Sequence, residues 1–110
     1  MKRMKDFTPF HKVIKERVTN PNAFYYADPW WDAEIKQFTL DIDTSIQFIR
    51  EECSDEEFWW LGEIFDDLME ATGSVELLNS IRERVERVSN AEWKKDILEC
   101  IQTAAEYVED

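Results

Sequence analysis

The sequence has little that punctuates a chain: two glycines and three prolines in 110 residues. A β-sandwich or barrel needs a turn signal roughly every ten residues, so this supply argues against an all-β fold. Histidine is scarcer, with His11 alone. A serine or cysteine triad would have to be built on that one ring. Zinc sites need Cys/His clusters and di-iron bundles need Glu-x-x-His pairs, and the sequence has neither. Gly62 and Gly73 are the whole glycine supply, too few for a loop that cradles phosphate.

Cys53 and Cys100 are the only cysteines. Spacing alone allows them to pair, but both continue apolar stripes, and the start MKRMKDFTPFHKVIK has no apolar secretory core. Reduced, buried and inert thiols are expected. No run approaches the roughly 18 to 20 apolar residues of a membrane span, so the expectation is a soluble, cytoplasmic protein. Asp66 and Asp67 are paired acids, but neighbours on a helix point about 100° apart and do not make one site. We therefore expect no enzyme activity, no catalytic residues, no cofactor and no metal.

What the chain has in excess is negative charge. Twenty-five acidic residues against 13 basic ones leave a formal net charge of -12. Such a field repels nucleic acid and anionic membranes and attracts cationic surfaces. The hydrophobic fraction of 44% and aromatic fraction of 14% argue against disorder. The expectation is all-α: one compact domain over residues 1–110, of four to five helices in stacked antiparallel αα-hairpins. Within it, residues 1–18 form a basic segment and residues 29–108 the helical core.

The clearest helix signal is residues 54–72. Ser54 and Glu57 make a capping box, and Asp55, Glu56 and Glu57 place negative charge at the positive end of the dipole. Phe58, Leu61, Phe65, Leu68 and Met69 recur at helical steps, and Gly73 suits a left-handed stop before Ser74 caps the next helix. Opposite the apolar stripe fall Glu56, Glu63, Asp67 and Glu70, with Trp59 and Trp60 on either side. Either this is a solvated face with tryptophans filling grooves, or it is a carboxylate strip that docks a basic partner.

Residues 29–52 read as a single long helix, with Trp31, Ile35, Phe38, Ile42, Ile46, Ile49 and Cys53 in one stripe. Thr39, Thr44 and Ser45 are weak formers at which it could break. Asp41, Asp43, Ser45, Gln47 and Glu52 match the ligand positions of an EF-hand loop, but Ile46 stands where that loop needs glycine. Residues 74–89 follow with Leu77, Leu78, Ile81, Val85 and Val88 inward, and Arg84 is expected to bridge to carboxylates of a neighbouring helix. Asn90 caps a last helix with Trp93, Ile97, Cys100, Ile101, Ala104 and Val108 as its core stripe.

At the N-terminus Lys2, Arg3, Lys5, Lys12, Lys15 and Arg17 face only Asp6 and Glu16. This segment, with a helix start at Thr8-Pro9, is expected to lie on the acidic body of its own molecule. Asn20-Pro21-Asn22 reads as a turn, and Phe24, Tyr25 and Tyr26 after it are expected to pack down on the domain.

Asp41-Ile42-Asp43 through Ile49, then Glu52 to Phe58, Leu61, Glu63 to Asp67, and Thr72-Gly73-Ser74 resemble a helical family of bacterial immunity proteins. These accompany contact-dependent growth inhibition and other polymorphic toxin systems. The resemblance covers residues 41–84, continues weakly into the last helix and leaves out residues 1–40. The Trp59-Trp60 pair and the basic N-terminus stand outside its pattern. It implies neutralisation of one cognate toxin, often a nuclease, by tight binding in the cytoplasm, and it carries no catalytic residues. The charge argument supplies the expected contact residues: Glu56, Trp59, Trp60, Glu63, Asp66, Asp67 and Glu70. The alternative is an adaptor or DNA mimic that binds basic host proteins.

Overall fold

The computed structural model of the chain describes residues 6–20 and 29–108, and among these it is all-α, without a strand. Lys2, Arg3 and Lys5, the turn at Pro21-Asn22, the aromatic run Phe24 to Tyr26 and the expected cap Asp28 lie outside the described residues. The first helix, α1 (Thr8–Thr19), carries Pro9 in its first turn, where a missing amide hydrogen costs nothing. It buries Phe10, Ile14 and Arg17.

Residues 29–52 do not form one helix. They divide into α2 (Pro29–Leu40), α3 (Ile42–Gln47) and a π turn (Phe48–Glu52). The break falls among the weak formers for a local reason. Asp41 caps α3, taking the Thr44 amide at 3.3 Å and its hydroxyl at 2.8 Å. Thr39 returns its own hydroxyl to the Ile35 carbonyl at 2.9 Å. Ser45, fully buried, ties the two pieces by donating to the Phe38 carbonyl at 2.8 Å. Of the positions that match a calcium loop, Asp43, Ser45 and Gln47 are thus in α3, Glu52 is in the π turn, and Asp41 serves as a cap.

In the π turn the Cys53 amide reaches back five residues to the Phe48 carbonyl at 3.0 Å. Phe48 and Ile49 are neighbours, yet both are fully buried. Phe48 lay outside the expected stripe, and it joins Phe7, Phe10 and Phe38 in an aromatic cluster with Phe10 stacked on it at 4.9 Å. Trp31 and Ile35, expected in the core, are only half-buried, and Glu34 is buried beside them on α2.

The segment 54–72 is likewise divided, into α4 (Asp55–Leu61), a 3-10 turn (Gly62–Ile64) and α5 (Phe65–Thr72). Its start is as expected. Ser54 accepts from the Glu57 amide at 3.1 Å and donates its own amide to the Glu57 carboxylate at 2.9 Å. At the other end Gly73 has φ +58°, and Ser74 caps α6 (Val75–Val85) through the Leu77 amide. Asn90 caps α7 (Ala91–Ala105), accepting from Glu92 and Trp93 at 3.0 Å each.

α1 packs on α2, α3 and the π turn on α6, and α5 and α6 on α7. Phe58, Leu61, Ile64, Phe65, Leu68 and Met69 fill the centre against Leu77, Leu78, Ile81 and Ile97, all fully buried. The 3-10 turn lies close on α7: a Cβ on Gly62 would sit 3.3 Å from the Cys100 sulfur. Arg84, expected at a helix edge, is buried, and it donates to the Asp55 carboxylate at 2.7 Å and to the Cys53 carbonyl at 3.0 Å. It so fastens α6 to the junction between the π turn and α4. No helix among the described residues is long and apolar enough to cross a membrane.

Gly73→Ala should cost about 1 kcal/mol, because open space surrounds the site and only the left-handed backbone resists a side chain. Urea unfolding should show a lower midpoint with an unchanged slope, and Gly73→Asn should recover part of the loss.

Candidate partner-binding face

The seven residues expected to make one face are parted by the fold. A 3-10 turn advances about 120° per residue against about 100° in an α-helix, so three such residues turn α5 by about 60° relative to α4. Glu56 and Glu70 are exposed. Glu63 is half-buried and gives both carboxylate oxygens to the buried Arg17, at 3.1 Å each. Arg17 also stacks on Trp31, 5.4 Å from the ring centre. Asp67 accepts from the Trp31 indole at 3.0 Å, and Asp66 accepts from the Asp67 amide at 3.0 Å. The continuous solvated strip is therefore corrected: the middle of it holds α1 and α2 in place. The physical reason is a buried guanidinium that needs carboxylate partners.

Nor do the two tryptophans flank the acids. Trp59 and Trp60 touch edge to face, with centroids 5.5 Å apart, and Trp59 stacks on Trp93 of α7 at 5.6 Å. The Trp59 indole donates to Asp96 at 3.1 Å. Trp59, Trp60, Glu63, Asp96, Ile97 and Cys100 line a groove of about 250 Å³ between α4, the 3-10 turn and α7. Trp60, Trp59 and Glu63 among the expected residues thus meet at one place. Half of the groove was missed in the sequence. Trp93, Asp96, Ile97 and Cys100 stand at steps of three, one and three, which marks a shared face of the last helix. Nothing in the sequence shows that this face meets Trp59.

Electrostatics agree with the geometry. Burial pushes the Cys100 thiol up, and Asp66, Asp96, Glu99 and Glu63 push it further in the same direction. Four carboxylates therefore act on one thiol. Cys53 is pushed up to about 11 by burial, against the pull of Arg84. Both thiols stay protonated at neutral pH and are poor nucleophiles. Asp67 is also raised: burial is the main cause, the Trp31 hydrogen bond opposes it, and Asp66, Glu70 and Asp32 add repulsion.

His11 lies between two acids, with Nδ1 2.5 Å from Glu57 and Nε2 2.8 Å from Glu52. Burial pulls its pKa down, but the two carboxylates outweigh that and the net shift is upward. Both ring nitrogens face acceptors, an arrangement that suits the imidazolium and clamps α1 to α4 and the π turn. Among the described residues no group of three His, Cys, Asp or Glu side chains could hold a metal ion.

The chain matches no family model, and no curated protein or solved structure matches it.

Two predictions follow from these charges. The His11 clamp favours the protonated ring, so its contribution to stability is complete below the ordinary value of 6.5 and fades as pH rises through the higher folded value. The stability gap between wild type and His11→Gln should therefore be largest near pH 5.5 and close as the pH approaches about 9, read by urea unfolding. Asp67 is also raised, so its contribution likewise falls as pH rises, but here the form present at neutral pH is the ionised one that the fold disfavours. Asp67→Asn keeps an acceptor for Trp31 and should raise the unfolding midpoint at pH 7, with a larger gain at low salt.

Proposed function

We propose that this protein is an immunity protein, which binds and neutralises one cognate basic toxin domain of nuclease type in the cytoplasm. The observation that carries the reading is a groove walled by Trp59 and Trp60 and lined by the carboxylates of Asp96 and Glu63, on a chain of net charge -12. Like charges gathered in one place oppose folding, and a cationic partner relieves that repulsion. Tryptophan beside such charge is the anchor type that interface hot spots favour. A nuclease supplies the complementary surface, because its cleft must be positive to hold a polyphosphate backbone. The resemblance over residues 41–84 supplies the toxin as the partner class.

The same charge speaks against nucleic acid and anionic membranes as partners, and the raised thiols against cysteine chemistry. A DNA mimic needs carboxylates that stay solvated and evenly spread. Glu63 and Asp67 are bonded internally, so a single shaped partner fits better than a series of basic host proteins. For the architecture we propose stacked hairpins, with α1 on α2 and α6 on α7 as the paired units.

Calorimetry with the C-terminal domain encoded by the adjacent upstream gene, at two salt concentrations, tests this reading. One-to-one binding in the nanomolar range that weakens with salt is expected, and an absence of binding would overturn it. Glu56 and Glu70 are exposed and can be reversed without breaking an internal contact. Glu56→Lys with Glu70→Lys should slow association about three- to tenfold at low salt and leave dissociation nearly unchanged. An unchanged association rate in the folded double variant would remove α4 and α5 from the docking face.

A further inference from the structure

The described part of the chain twice solves the problem of holding a guanidinium, and both times in the same way. Arg17 stacks on the Trp31 ring at 5.4 Å while Glu63 accepts from its Nη2 at 3.1 Å. Arg84 lies 5.4 Å from the centre of the Phe58 ring while Asp55 takes its Nη2 at 2.7 Å. In each case an aromatic face meets the flat cation and a carboxylate meets its edge.

The groove between α4 and α7 repeats these parts without the cation. Trp59 and Trp60 supply the aromatic surface, and Asp96 supplies the carboxylate at the rim. Only Oδ2 of Asp96 is engaged among the described residues, by the Trp59 indole, so Oδ1 faces no donor there. Glu63, at the other side, is taken up by Arg17 but still adds to the negative potential, as do Asp66 and Glu99. No arginine or lysine is among the residues that line the groove. Its volume of about 250 Å³ falls below the roughly 300–1,000 Å³ of small-molecule sites, which suits one side chain better than a cofactor.

We infer that the groove of Trp59, Trp60 and Asp96 is the socket for one arginine side chain of the protein partner, whose guanidinium lies against the indoles and donates to Asp96. The inference rests on the reading of this chain as a binder of a basic protein. It adds which residue type anchors the complex and where. Arginine is chosen over lysine for physical reasons. The guanidinium is planar, weakly hydrated and stacks on indole, whereas an ammonium is compact, strongly hydrated and loses more on leaving water.

The test uses the full chain, labelled with nitrogen-15, and two short probes of equal charge: acetyl-Gly-Arg-Gly-amide and acetyl-Gly-Lys-Gly-amide. The indole N–H signals of Trp59, Trp60 and Trp93 report on the groove. The arginine probe should shift the Trp59 and Trp60 signals with a midpoint about threefold lower, or better, than the lysine probe. Asp96→Asn retains an acceptor for Trp59 and removes the charge, and it should weaken the arginine probe about three- to fivefold. Trp60→Leu should weaken it about fivefold; should that variant unfold, Asp96→Asn alone decides.

Equal midpoints for the two probes, or shifts unaltered by Asp96→Asn, would overturn the socket. Shifts confined to signals outside the groove would overturn it too. The wider reading is judged separately by the calorimetry with the toxin domain: binding there with no arginine preference here rejects the socket and keeps the partner class.

Discussion

Twenty-five carboxylates on a chain of 110 residues repel one another, and the fold has to separate them or give them cations. Cations are few, so their placement decides much of the structure. Arg17 and Arg84 are both buried, and each joins elements far apart in the chain. Arg17 brings α1 to the 3-10 turn through Glu63, and Arg84 brings α6 to the start of α4 through Asp55. His11 does similar work at the surface between Glu52 and Glu57. Breaking a buried pair leaves an uncompensated charge, so these contacts fix the packing geometry more than they add to stability.

The second determinant is irregularity inside the helices. The π turn lets adjacent Phe48 and Ile49 both enter the core, which an unbroken α-helix would set about 100° apart. The 3-10 turn at Gly62 does two things at once. It lets α7 approach closely at Cys100, and it turns the acids of α5 away from those of α4. The groove exists because of that close approach: α7 brings Trp93 under Trp59 and Asp96 to the indole nitrogen.

On the proposed reading, stability and binding draw on the same acids in different ways. Glu63 and Asp67 are occupied within the molecule, while Glu56, Glu70 and Asp96 are exposed. A partner of the proposed kind would meet a surface whose interior charges are already fixed in position, with Trp59 and Trp60 held by their neighbours on α4 and α7. Such preorganisation lowers the entropy lost on docking. In the proposed complex, long-range attraction by the whole charge and short-range fit at the groove would act at different stages of one encounter.

Residue order alone made legible the all-α class, the capping box of Ser54 and Glu57, the left-handed stop at Gly73 and the caps at Ser74 and Asn90. It also determined most of the core of α4 to α7 and the excess of negative charge. These are local properties: hydrogen bonds over three or four residues, backbone sterics and helical periodicity. Of the seven residues expected to make a face, Trp59, Trp60 and Glu63 line the groove. The weak formers marked where 29–52 could break, but packing between helices settled that 54–72 is broken too, that Phe48 is core, and that Glu63 and Asp67 turn inward. It alone brought Asp96, Ile97 and Cys100 to the tryptophans. The inward turn of Glu63 and the joining of the groove depend on contacts between residues 46 and 37 positions apart, Arg17 with Glu63 and Trp59 with Asp96. Periodicity within one helix fixes which side is apolar, but it carries no information on which neighbour will cover that side or which charge will be drawn to it.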